Sequence, residues 1–175
     1  EVEFVYNGKV QVPTPTFKDE QGETVVANYT LTGDTEARKA GSNYTVTITI
    51  EDLAYELVGT IDRPFAILPA TLKLPTQTKP FSYNGMEYDL NQLDEIDCET
   101  YFEGFDLSLM EVRSGDGIKG DKGKDASRYN ATVVLRDPDS AKFENGQTRT
   151  TMSWQIEKAK LTVDWNSYEF YENSG

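Results

Sequence analysis

Residues 42–50 read SNYTVTITI, and residues 127–135 read SRYNATVVL. In the first stretch Tyr44, Val46, Ile48 and Ile50 alternate with Thr45, Thr47 and Thr49. A period of two turns one set of side chains toward a core and the other toward water, the pattern of a half-buried β-strand. The second stretch repeats it with Tyr129, Ala131, Val133 and Leu135, and Tyr129 lies 85 positions after Tyr44. A strand that returns at a domain-sized interval predicts a duplicated unit, and the flanking residues test this.

Two further landmarks return in the same order. Tyr-Asn-Gly occurs at 6–8 in FVYNGKVQV and at 83–85 in FSYNGMEYDL, an offset of 77. Ile67 in FAILPATLKL corresponds to Ile156 in WQIEKAKLTV, an offset of 89. The second copy is therefore longer by 8 (85 − 77) and then by 4 (89 − 85). Loops absorb such insertions at little thermodynamic cost. Here TEARKAG stands against RSGDGIKGDKGKDAS, and AYELVGTIDRP against the stretch from Ala141 to Ser153. Near the end EFYENSG echoes EFVYNGK, with Tyr171 88 positions after Tyr83. The expected organisation is one unit over 1–75, a second with longer loops over 76–163, and the opening of a third over 164–175. The junction PTQTKP, 75–80, is too short to act as a free tether.

The closing strands add Phe65, Ile67, Leu72 and Leu74 to the expected core, matched by Trp154, Ile156, Leu161 and Val163. The apolar parity changes between Ile67 and Leu72, which predicts a bulge or a bend leading out of the unit. Asn7-Gly8 between FVY and KVQV predicts a two-residue hairpin turn that Tyr6 fixes to the core, and Asn84-Gly85 repeats the device. LNQLDEIDCETYFEGF, 90–105, is read as strand or loop, although Leu90, Leu93 and Ile96 could make a short helical turn. Several short strands per unit predict an all-β fold of two tandem antiparallel sandwiches.

The net charge of −13 and pI near 4.4 argue against nucleic acid or an anionic membrane as partner, because both need clustered Lys and Arg. No run approaches the roughly 18 apolar residues of a membrane-spanning helix. Cys98 is the single cysteine, so no internal disulfide can form. The chain starts at Glu1 with no signal-peptide pattern, which fits a processed or excised segment.

With no histidine and one cysteine, the commonest general base and any thiol dyad are missing, and there is no phosphate-binding glycine loop. No catalytic or cofactor-binding residue is assigned. The best calcium candidate is RDPDS, where Asp137 and Asp139 could act with Asp116, Asp121 or Asp125. The run lacks the spacing of a twelve-residue calcium loop, and a polar turn accounts for it better, so no metal site is assigned either. Trp165, Tyr168, Phe170 and Tyr171 could stack on sugars, but they read more simply as the first core strand of a third unit. The sequons at Asn28, Asn43 and Asn130 are taken as coincidental in a Thr-rich chain, and a Lys-to-Asn isopeptide bond is the less favoured way of stiffening the units.

FVYNGK, KAGSNYTVTITI and FAILPATL in the first unit, with FSYNG, DASRYNATVVL and WQIEKAKLTV in the second, resemble the tandem immunoglobulin-like repeats of Gram-positive bacterial surface proteins. The second unit departs from that pattern in having Asp125-Ala126-Ser127 for Ala-Gly. A β-grasp surface repeat is the alternative fold, and its mark would be a helix crossing the sheet. The resemblance implies an extracellular stalk or spacer at the cell surface or in the cell wall, non-catalytic and monomeric within a longer array. It carries over no site residues. The alternatives are an adhesin module that binds a host glycan or extracellular protein through the larger loops of the second unit, and an accessory module of a secreted carbohydrate-active enzyme.

Overall fold

The computed structural model describes residues 2–114 and 120–165. Its first half contains β1 (Val2–Val5), β2 (Phe17–Lys18), β3 (Thr24–Val25), β4 (Tyr29–Gly33), β5 (Gly41–Ile50), β6 (Asp62–Leu68) and β7 (Ala70–Leu72). Then follow β8 (Thr76–Gln77), β9 (Phe81–Ser82), β10 (Tyr88–Asp89), a 3-10 turn (Leu90–Gln92), α1 (Glu95–Tyr101) and β11 (Phe102–Glu103). The chain continues through β12 (Met110–Arg113), β13 (Lys122–Gly123), β14 (Arg128–Leu135), β15 (Ala141–Phe143) and β16 (Arg149–Glu157). The protein is all-β, as the alternating pattern predicts.

Two four-stranded sheets carry the repeat. Their orders are β1-β6-β5-β4 and β9-β16-β14-β12. In each, the outer leading strand runs parallel to the last strand and the other pairs are antiparallel. The registers match residue for residue. Phe4 faces Ile67 as Phe81 faces Ile156, and Tyr44 faces Phe65 as Tyr129 faces Trp154. The N–H of Tyr6 donates to the carbonyl of Leu68, and that of Tyr83 to Glu157, both at 2.9 Å. The sequence offsets of 77, 85 and 89 are thus the offsets of three successive strands. The rest of the second layer is reduced to two-stranded pieces, β2-β3, β10-β13, β8-β11 and β7-β15.

The same aromatic arrangement fixes each sheet. Phe65 stacks on Tyr44 with centroids 5.3 Å apart and meets Phe4 edge-on at 6.0 Å. Trp154 stacks on Tyr129 at 4.6 Å and meets Phe81 edge-on at 5.8 Å. Each such pair contributes about 0.5–1.5 kcal/mol beyond the area it buries. The Tyr44 hydroxyl donates to the Lys39 carbonyl at 3.0 Å and the Tyr129 hydroxyl to the Asp125 carbonyl at 2.8 Å, so each ring also ties down the loop before its strand. Gly123 is required here, since a Cβ at that position would lie 2.7 Å from both the Trp154 and the Tyr129 rings.

Several expectations are corrected. Residues 90–105 are largely helical at their start rather than strand or loop. The Asp94 carboxylate accepts from the Asp97 N–H at 2.8 Å and Asp89 caps the preceding 3-10 turn, so side-chain caps satisfy N–H groups that a strand would have left to a neighbour. Asn7-Gly8 turns the chain but makes no hairpin. The Asn7 side chain accepts from the Lys9 N–H at 2.9 Å, Gly8 has φ +75°, and β1 pairs instead with β6, while Gln11 bonds to Ala37. Asn84-Gly85 does the same through Met86. The chain after the turn is held elsewhere, with the Gln11 N–H on the Ala37 carbonyl at 2.9 Å, and so does not return along β1. Leu161 and Val163, expected in the core, are 90% and 68% exposed.

The expected boundary at 75–76 falls between β7 and β8, and both pair with strands of the second half. β7 runs parallel to β15 with Ala70, Thr71 and Leu72 against Ala141, Lys142 and Phe143, and β8 is antiparallel to β11. The parity change after Ile67 is this departure from the first sheet. It also explains the exposure of Leu161 and Val163, whose counterparts Leu72 and Leu74 are covered by the half that follows.

Trp154→Ala should cost about 3–5 kcal/mol of unfolding free energy, the usual range for a buried large aromatic. Gly123→Ala should cost about 1–3 kcal/mol by overpacking the same rings. Urea unfolding followed by circular dichroism measures both; an unchanged midpoint for Gly123→Ala would remove the close ring approach from the account.

Candidate interaction groove

The two sheets differ in how their inner faces are covered. In the second half Val112, Val133 and Leu135 are buried. The residues at matching registers in the first half, Leu31, Ile48 and Ile50, are only partly buried and line an open groove of about 1100 Å³. The β2-β3 hairpin forms one wall and residues 54–61 the other. Val58, on that second wall, is 90% exposed. An apolar sheet face left open to this extent loses the burial that stabilises its counterpart. The alternation in SNYTVTITI identified the face but could not show that it is only partly covered among the described residues.

The cover in the second half is built across the junction. Ala70, Ala141 and Phe143 are buried together in the core. The Ala70 N–H donates to the Ser140 carbonyl at 3.0 Å, and the Glu144 N–H to the Leu72 carbonyl at 2.8 Å. The buried Ser140 hydroxyl accepts from the Ala40 N–H at 2.9 Å and donates to Asp137 at 3.0 Å. The amide of Gln77 bonds both main-chain groups of Gln155, receiving at 2.7 Å and donating at 3.3 Å. Against the turn at Gly8, a Cβ would come 2.8 Å from Leu109 of the second half. None of these contacts has a local sequence signal apart from the parity change in FAILPATLKL.

The calcium candidates are not brought together. Asp137 uses its carboxylate on the N–H and hydroxyl of Ser140 and so closes a turn. The Asp121 carbonyl accepts from Leu90, and the main chain of Asp125 exchanges hydrogen bonds with the Tyr129 hydroxyl. Asp116 lies outside the described residues, and among the described residues no three acidic or cysteine side chains, Asp139 included, converge as ligands. Of the aromatic group at the end of the chain, Trp165 is exposed, while Tyr168, Phe170 and Tyr171 lie outside the described residues. Every lysine among the described residues is exposed, so none is enclosed beside an asparagine.

Cys98 is buried on the inner side of α1. Burial, reinforced by Asp106, Asp97 and Asp94, pushes its thiol pKa up to about 11. A thiol so held is a packing group and a poor nucleophile. Comparison with protein-family models and with curated proteins finds no match for this chain.

Three outcomes follow. Iodoacetamide at pH 8 should modify Cys98 about 100-fold more slowly in the folded protein than in urea, the ratio of thiolate expected for a shift of two pH units. Because the folded state holds this proton more tightly, the contribution of Cys98 to stability is complete below pH about 9 and is lost as the pH rises through about 11, so thermal midpoints should fall across that window and fall less in Cys98→Ala. Melting in excess calcium and in chelator should give the same midpoint, since Asp137 is committed to its turn; a rise with calcium would restore the metal reading.

Proposed function

We propose that the chain is a non-catalytic spacer, a stalk segment of immunoglobulin-like units at the surface or in the cell wall of a Gram-positive bacterium. The observation that carries this reading is the junction. A linker whose residues 70–72 and 76–77 are paired as strands with the following half cannot swing freely, and it holds whatever lies beyond it at a fixed distance and angle. The acidic composition keeps such a segment soluble by self-repulsion.

The immunoglobulin-like part of the reading is supported by strand order and by the tyrosines. β4-β5-β6 and β12-β14-β16 follow the C-F-G order of those sandwiches. Tyr44 and Tyr129 each stand two residues before a buried strand position, Val46 and Ala131, and each bonds back to a carbonyl upstream, the arrangement known as the tyrosine corner. The helix α1 has seven residues, about 10 Å at 1.5 Å per residue, too short to cross a four-stranded sheet as a β-grasp helix would.

Residual dipolar couplings from the two halves should fit one alignment tensor of one magnitude. The intact chain should bind nothing on a glycan and matrix-protein array at high micromolar concentration. Two independent tensors would end the rigid-spacer reading, and saturable binding to an array member would replace it with an adhesin.

A further inference from the structure

Among the described residues, both halves of a second strand-donation joint are left unpaired as strands. The occupied joint is β7 against β15. Its acceptor strand begins at a turn in which the Ser140 N–H donates to the Asp137 carbonyl at 3.2 Å, and the first half has the same turn, with the Tyr55 N–H on the Asp52 carbonyl at 3.2 Å. Counting equally from these turns, Glu56, Leu57 and Val58 are the counterparts of Ala141, Lys142 and Phe143, at the offset of 85 found for the central strand. They line one wall of the open groove, and Val58, exposed, matches by sequence offset the buried Phe143 of the second half.

The donor is present as well. Ala159, Lys160 and Leu161 follow Ala70, Thr71 and Leu72 at the offset of 89. No strand pairing among the described residues includes 158–165. Leu161, Val163 and Trp165 alternate along this segment and are all exposed, Trp165 by 89%. An extended segment with apolar residues at alternate positions is suited to adding as a strand, with main-chain bonds giving affinity and side-chain pockets giving register.

We infer that the groove of the first half takes the segment Ala159–Val163 of a second copy of the chain, in the parallel register of β7 on β15. Ala159 then faces Glu56, Lys160 faces Leu57 and Leu161 faces Val58, and the inserted side chains cover Ile48 and Ile50. The donor and acceptor lie on different surfaces of one chain, so the contact is head-to-tail and propagates instead of closing into a two-fold dimer. The inference rests on the β7-β15 joint and stands whether the units serve as a spacer or as an adhesin.

The test uses the full chain and its Leu161→Asp/Val163→Asp variant, whose changes fall on exposed residues and leave the core intact. Sedimentation at rising concentration should show open-ended association of the parent chain and a monomer for the variant. A labelled peptide of residues 157–165, EKAKLTVDW, should bind the variant, whose own donor is disabled, and shift the NMR signals of Ile48, Ile50 and Val58. The same peptide with Asp at positions 161 and 163 should bind at least about tenfold more weakly, since two aliphatic anchors are lost. Failure of the parent peptide to bind, shifts confined to another surface, or association that persists in the variant would each overturn the inference.

Discussion

The pairing of β7 with β15 is the contact on which the organisation of this protein depends. It takes the last residues of one half and spends them on the core of the next, so Ala70, Ala141 and Phe143 are buried by one event. A sheet with one apolar face needs a second layer, and small units have little chain to build one from. Here the second layer of the second half is completed by its neighbour. The first half, with the β2-β3 hairpin and residues 54–61 as walls beside its sheet, keeps a groove.

That asymmetry separates two things that the repeat makes look alike. The aromatic sets Phe4, Phe65, Tyr44 and Phe81, Trp154, Tyr129 have the same geometry, so the strands of the two sheets are fixed in the same way. The second half then adds Tyr88, Tyr101 and Phe102 around Phe81, with ring centroids 4.3, 4.5 and 5.9 Å away. These rings come from β10, α1 and β11, a segment that is partly helical where the first half has the short strands β2 and β3, and Cys98 is buried within it.

Polar groups at the junction add specificity to the apolar contact. The surface pair of Lys73 and Glu103, 2.6 Å apart, is exposed and contributes little. Ser140 and Gln77 act differently, because the Ser140 hydroxyl accepts from the Ala40 N–H of the first half while its carbonyl accepts from Ala70, and the Gln77 amide bonds both main-chain groups of Gln155. A slipped register would leave those groups unpaired in a buried setting, at a cost well above that of a lost surface bond. The joint is thereby held to one register.

How much of this was legible in the residues follows from the range of each interaction. Alternation in SNYTVTITI and SRYNATVVL gave the strands, their inner faces and the duplication, because a period of two is a local property of the pleat. The offsets gave the pairing of the copies, and the fold places the same residues opposite one another. Asn-Gly marked a turn, but whether the chain after it doubles back depended on the distant partner, Ala37, that takes up Gln11. The capped start of α1 was written in Asp94 and the acidic residues after it, and was masked by the apolar residues around it. The pairing of Ala70–Leu72 with β15 of the second half, the partial burial of Leu74 against the exposure of Val163, and the open groove were decided only by the tertiary structure. Each depends on which surface covers a strand from outside its own unit, and an apolar residue reads the same in sequence whether that cover is present or not.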